Sequence, residues 1–307
     1  MNPWFLPLVF SLGLCLGSWL NMWSVPATTT ITTTSGIRCP EKNEPLPTLM
    51  SIIEEKKVCG LYSNRTMKEL GDEAGTDKTG HHGYHRFYPK HLEALRNTQF
   101  NLLEIGMHAG ASVRLWQKYF PCATLYGVDV SSASATAVSK KANMTVFFGD
   151  QADQKFLESI VNAVPEGFQV IVDDGGHAVH LQLASFRELF NKALVPGGVY
   201  IIEDIEASYC DQGDFYGYAN HHGLHKAGST VEVFKGAVDV VNREMHSLAY
   251  TVLGNYVDHK ILSIEFAYNT IILHKVGRES AGYINRPYRF RRMVSNYNDR
   301  LPPAFFL

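Results

Sequence analysis

The chain is 307 residues long, 45% hydrophobic and 19% charged, enough for one sizeable α/β domain with appendages, and this excludes collagen-like, fibrous and wholly disordered architectures. With 28 Lys and Arg against 30 Asp and Glu the formal net charge is −2, so no general basic field draws in nucleic acid or acidic lipid, and no nucleic-acid partner is expected. Five cysteines, at 15, 39, 59, 122 and 210, form no C-x-x-C pair and no Cys/His zinc spacing, which argues against a redox pair or a zinc finger.

From Pro3 to Trp23 no residue is charged, and leucines, Phe5, Phe10 and Trp19 make the run strongly apolar. Residues 1–27 read as a signal peptide, with Val25-Pro26-Ala27 offering the small residues of a cleavage site. An uncleaved signal anchor is the alternative, because roughly 20 apolar residues can just span a bilayer, and only then is a membrane contact expected. Both readings send the rest of the chain into the secretory pathway, secreted or held in the ER or Golgi lumen. Residues 28–45, with the run Thr28 to Ser35, read as a flexible linker. In that compartment Cys39 and Cys59 are candidates to close a loop, and Asn64-Arg65-Thr66 and Asn143-Met144-Thr145 are glycosylation acceptors, although about one such triplet is expected by chance.

Residues 46–97 form an N-terminal cap, where Met50, Ile53, Val58, Leu61, Met67 and Leu70 recur at helical spacing. Residues 98–277 change type. Leu102 to Ile105, Thr124 to Asp129, Thr145 to Phe148, Gln169 to Val172 and Gly198 to Ile202 are short apolar runs, as in buried parallel strands, and Ile261 to Ala267 with Thr270 to His274 add a later pair. Helical segments are expected between them at Ser112 to Tyr119, Ser132 to Lys141, Asp153 to Ala163, Ala178 to Leu194 and Thr230 to Leu248. The alternation predicts an α/β fold with a doubly wound, mostly parallel sheet and ligands outside the carboxyl ends of its strands. Residues 278–307 form a tail whose basic, aromatic stretch Arg286 to Arg292 reads as solvated surface.

The first strand runs into Glu104-Ile105-Gly106-Met107-His108-Ala109-Gly110-Ala111-Ser112, and the second ends in Asp129. Glycines at a strand-to-helix turn admit a ligand to the backbone, and an acid at the tip of the next strand is placed to grip ribose hydroxyls. A dinucleotide needs G-x-G-x-x-G and a helix N-terminus open to phosphate. This loop has Gly106 and Gly110 instead, with Glu104 at its mouth, which would repel phosphate and suits an ammonium. S-adenosylmethionine carries an ammonium and a ribose and no phosphate. Asp150, after the third strand, adds an acceptor where an adenine amine could lie; its alternative reading is a helix N-cap.

After the fourth strand comes Asp173-Asp174-Gly175-Gly176-His177, and after the fifth Glu203-Asp204-Ile205-Glu206. Neighbouring strand ends lie about 4.8 Å apart, so these acids can converge, and convergent carboxylates repel unless a cation joins them. Oxygen ligands favour Mg2+. His177 is a candidate to take a proton from a hydroxyl.

These residues, with GTDKTGHHGYHRFY around Thr76-Asp77-Lys78, His82 and Tyr84, and with LLEIGMHAGASVRLW, GVDV, GDQAD, VDDGGH and LVPGGVYIIEDIEASY, resemble the metal-dependent macrolide-sugar O-methyltransferases of the macrocin and mycinamicin type. The resemblance covers about residues 70 to 277 in one consistent order. It implies a Rossmann-like class I methyltransferase with a helical cap and antiparallel C-terminal strands, and an S-adenosylmethionine-dependent, Mg2+-assisted transfer to a hydroxyl of a sugar or glycosylated small molecule. It further implies that Asp174, Glu203 and Asp204 bind the metal, that His177 is the general base, and that Glu104, Gly106, Gly110, Ser112, Asp129 and Asp150 contact the cofactor. Relatives of this type assemble, which leaves a homo-oligomer open. The alternative is a catalytically inactive, secreted binding protein on the same fold.

His81, His82 and His85, like His221, His222 and His225, have no accompanying Cys and read as surface or lid histidines rather than zinc sites. The Gly- and aromatic-rich stretch from Tyr209 to Gly228 follows the fifth strand and reads as a substrate lid, or as an ordinary long loop.

Overall fold

In a computed structural model the described residues are 59 and 63–278, apart from 143, 212–213, 216–217, 220, 243–250, 255–256 and 258. They fall within one compact unit that begins at Pro45. The apolar leader, the Thr-rich linker, the first part of the cap, the Asn143 acceptor and the basic tail all lie outside the described residues. Among the described residues no helix is long and apolar enough to cross a membrane.

The runs read as strands are strands: β1 (Asn101–Ile105), β2 (Thr124–Asp129), β3 (Thr145–Phe148), β4 (Phe168–Asp173), β5 (Leu194–Glu203), β6 (Ile261–Ala267) and β7 (Thr270–Lys275). They form one sheet in the order β3-β2-β1-β4-β5-β7-β6. β1 to β5 pair in parallel, whereas β7 runs antiparallel to both β5 and β6. Side chains alternate between the faces, and both faces are covered. Leu102, Val170, Val172, Val199, Ile201 and Ile272 pack toward one core, and Leu103, Ile105, Ile171, Tyr200, Ile202 and Ile271 toward the other. This is why the central strands read as continuous apolar runs and not as alternating ones.

The helices are α1 (Met67–Ala74), the single turns α2 (Asp77–Gly80) and α3 (Tyr88–Leu92), then α4 (Ala111–Tyr119), α5 (Ser132–Ala142), α6 (Gln154–Ala163), α7 (Val179–Ser185) and α8 (Thr230–Val241). Thr66 starts α1 with a capping box, its hydroxyl accepting from Glu69 N–H while the Glu69 carboxylate accepts from Thr66 N–H, so helix stops at Thr66 and residues 63–66 are not helical as the apolar spacing suggested. The helix expected from Ala178 to Leu194 ends sooner. It passes into a π-turn at Phe186–Phe190, and Leu194 already belongs to β5, where it pairs with Phe168. Cys59 is joined to Cys122 and not to Cys39, which ties the entry of the cap to the turn after α4. The candidate lid contains a two-stranded ladder of Asp214–Phe215 with Tyr218–Ala219.

Candidate active site

The carboxyl ends of β1 to β5 open onto a cleft of about 780 Å³ lined by Gly106, Met107, Ser112, Asp129, Asp150, Gln151, Asp174, His177 and Asp204, with Thr76, Asp77 and His82 of the cap on its rim. Gly106, at φ +80, has room for no side chain, because a Cβ there would lie 2.0 Å from Asp174 O. The loops after β1 and β4 therefore touch backbone to backbone. Gly110, at φ +72, caps α4 in the left-handed conformation.

Asp129 accepts from the N–H groups of Met107 (3.1 Å) and His108 (3.2 Å) through one oxygen and of Ser131 (2.8 Å) through the other. The tip of β2 thus organises the glycine loop as well as facing the cleft. Asp150 accepts from Ala152 N–H (2.8 Å), and the cap of α6 is Asp153. The N-cap reading of Asp150 falls, and its carboxylate lines the cleft. Glu104 lies behind the cleft wall, 1% exposed, accepting from Ser112 Oγ at 2.9 Å. Burial pushes its carboxyl up to about 7, against the opposing pull of Lys78, 3.6 Å away. The ammonium it meets is internal.

Lys78, the last residue of the GTDK motif, is 1% exposed. Its Nζ lies 2.5 Å from Asp174 Oδ2 and 2.6 Å from Glu203 Oε2. Burial opposes its charge, but Asp174, Glu203 and Glu104 outweigh burial and hold the ammonium well above the usual lysine range. Tyr88 donates to the other Glu203 oxygen at 2.5 Å, and Tyr84 donates to Asp204 Oδ1 at 2.6 Å. Burial raises both phenols, so they remain protonated donors. Burial also raises Glu203 and Asp204, against the pull of Lys78 on the first and of Tyr84 and His177 on the second.

Three ligand atoms, one each from Asp174, His177 and Asp204, lie within 4.8 Å of one another. His177 Nε2 is 3.8 Å from Asp204 Oδ2, and His82 Nδ1 is 3.5 Å from Asp204 Oδ1. Glu203 stands one layer deeper, both oxygens engaged by Lys78 and Tyr88. The backbone is strained where these groups meet. His108, His177, Asp204 and Asn269 all have positive φ, a conformation that costs about 1–3 kcal/mol per residue and gathers at functional sites. Asn269, in the β6–β7 turn, donates to Asp204 Oδ1 at 2.9 Å.

Sequence reasoning thus placed the acids and His177, but it missed the roles of Lys78, Tyr88, Asn269 and His82. His82 is no outlying surface group. The signal available in the sequence was the unbroken GTDK-x₃-H-x-Y stretch ahead of the sheet.

No protein-family model matches the chain. It is 29% identical over 226 residues, 71% of its length and 54% of the relative's, to mycinamicin VI 2''-O-methyltransferase of Micromonospora griseorubida. It is 34% identical over 184 residues, 55% of its length and 44% of the relative's, to L-olivosyl-oleandolide 3-O-methyltransferase of Streptomyces antibioticus. Among solved structures, MycE methyltransferase from the mycinamycin biosynthetic pathway, in complex with Mg, SAH and mycinamycin VI, aligns with a TM-score of 0.59 and 27% identity over 73% of this chain and 57% of that one. The chain resembles the macrolide-sugar O-methyltransferases. Its fold is that of a Rossmann-like class I methyltransferase with antiparallel C-terminal strands. The chain spans about half the length of the curated relatives it matches.

Proposed function

We propose that the chain is an S-adenosylmethionine-dependent, Mg2+-assisted O-methyltransferase acting on a hydroxyl of a sugar or glycosylated small molecule. The observation that carries this is the meeting of Asp174, His177 and Asp204 at the edge of the cleft that Gly106, Asp129 and Asp150 line. Relatives whose names specify transfer to glycosylated macrolides and polyketides, and a structural neighbour in complex with Mg and SAH, support the reading.

The residues fit the two groups. Asp129 and Asp150 offer acceptors to ribose and adenine, and Ser112 on the cleft wall donates to the buried carboxyl of Glu104 behind it. Asp174 and Asp204 supply the oxygen donors that Mg2+ selects, and Glu203 can join them by releasing a bond to Lys78 or Tyr88. When bound, S-adenosylmethionine supplies a methyl activated by sulfonium and Mg2+ supplies Lewis acidity. With both groups held there, the cleft would align an acceptor hydroxyl with that methyl, and His177 would take the hydroxyl proton. Mg2+ binds imidazole poorly beside carboxylates, which keeps His177 for proton transfer. The catalytically inactive alternative finds no support in an acid and imidazole set that is intact.

Passage through the secretory pathway stays part of the proposal. Its support is the Cys59–Cys122 disulfide, a bond that persists in oxidising compartments, together with the exposed acceptor Asn64. The deciding experiment is a screen of glycosides and flavonoids for S-adenosylhomocysteine release with and without Mg2+. Metal-dependent release from a glycoside is expected, and no release from any acceptor in the presence of a bound cofactor would overturn the reading.

A further inference from the structure

Gln151 follows Asp150 on the loop after β3, is buried, and lines the cleft. Its amide faces three partners. Nε2 donates to Asp173 Oδ1 at 3.1 Å and to Ser185 Oγ at 3.4 Å, while Oε1 accepts from Gly176 N–H at 2.8 Å. The orientation of the amide is set by chemistry: Asp173 already accepts from Ser185 and from Tyr200 (3.1 Å), so the carboxylate takes only donors and the amide must turn its nitrogen toward it. The carbonyl is left to hold Gly176.

Gly176 precedes His177, whose φ is +56. Ala178 N–H closes a three-residue turn onto Gly176 O at 2.7 Å, with His177 at its centre. A positive φ in the middle of such a turn is the rare, strained form. The peptide before His177 is held by Gln151 and the turn around it by Ala178. The fit is close, since a Cβ on Gly175 would lie 1.9 Å from Gln151 Oε1.

We propose that Gln151 is a positioning residue, which clamps the backbone ahead of His177 so that the imidazole is presented to the acceptor hydroxyl, and which does so from the wall of the cofactor cleft. The proposal rests on His177 acting as the base, but the clamp can be read without any turnover.

The test compares Gln151→Met, Gln151→Glu, Asp173→Asn and the double variant Q151E/D173N with the wild type. Hydrogen exchange of a peptide covering residues 174–178 should quicken in Gln151→Met. Its kcat should fall roughly tenfold, the equivalent of one lost hydrogen bond, while S-adenosylmethionine affinity stays within about threefold. Gln151→Glu turns a carboxylate against Asp173 and should be worse. Q151E/D173N exchanges donor and acceptor across the pair, so the new carboxylate again accepts from Gly176, and both exchange and kcat should return to within about threefold of Asp173→Asn alone. Unchanged exchange in Gln151→Met would overturn the clamp. So would a loss in cofactor affinity as large as the loss in kcat, or a double variant no better than Gln151→Glu. A wild type that binds S-adenosylmethionine and methylates nothing would count against the proposed function, while the exchange data would still decide on the clamp.

Discussion

The ammonium of Lys78 lies 2.5 Å from the carboxylate of Asp174, joining a one-turn helix of the cap to the loop after β4. The same ammonium reaches Glu203, so a single buried cation holds the ends of β4 and β5 together. Removing it leaves buried carboxylates facing one another. Lys78→Met should destabilise the metal-free protein by about 3–5 kcal/mol, as for a broken buried ion pair. Mg2+ should recover part of the loss, because a divalent ion replaces the missing charge. Thermal denaturation with and without Mg2+ measures both effects, and a melting temperature equal to that of the wild type would mean that Lys78 balances nothing.

Asp174→Asn should abolish metal-dependent turnover and leave S-adenosylmethionine binding near wild type, since Asp174 faces Asp204 and His177 rather than the ribose side of the cleft. His177→Gln should cut turnover by about 10²–10⁴-fold, the usual share of a general base. If EDTA and His177→Gln each leave the rate within about threefold of wild type, the acid and imidazole set is structural.

Asp129→Ala should weaken S-adenosylmethionine binding by roughly 1.5–3 kcal/mol, the range for hydrogen bonds to a charged group. The carboxylate also holds the N–H groups of Met107, His108 and Ser131, so part of the loss comes from a loosened glycine loop. Titration calorimetry on the alanine variant reads the affinity, and an unchanged value would place the ribose elsewhere.

Stability should depend on pH through Glu104. Burial pushes its carboxyl up to about 7 in the folded chain, against about 4.3 unfolded. The folded state binds the extra proton, so this contribution is complete below about pH 4.3 and is lost as pH rises through about 7. Asp173, pushed up to about 6 by burial, acts in the same direction. Without metal or cofactor, the protein should lose on the order of 3 kcal/mol between pH 5 and 8 through Glu104 alone. Glu104→Gln should flatten that decline. Denaturant melts of both proteins across the range test it, and parallel curves would rule it out.

The Cys59–Cys122 bond closes a loop across 63 positions. Cys122→Ser should lower stability by about 2–4 kcal/mol. Peptide mapping without reduction should recover the 59–122 linkage, and recovery of a 39–59 linkage would contradict the structure.

The sequence alone determined where the strands lie along the chain, because a strand buried on both faces must be largely apolar, as Leu102-Leu103, Val170 to Val172 and Val199 to Ile202 are. It also determined which acids stand at strand ends, since Asp129 closes one such run and the pairs Asp173-Asp174 and Glu203-Asp204 follow two others. Tertiary structure alone decided what those acids face. Lys78 and Glu203 are 125 positions apart, and no periodicity links a cap residue to a strand end across a sheet. Glu104 follows the same logic: its place in the chain suggested an open mouth, yet packing of Ser112 and Lys78 turned it inward. The strained φ of His177 is likewise decided at a distance, because a backbone conformation that local sterics disfavour is held only by contacts such as Gln151 on Gly176, which come from another loop of the fold.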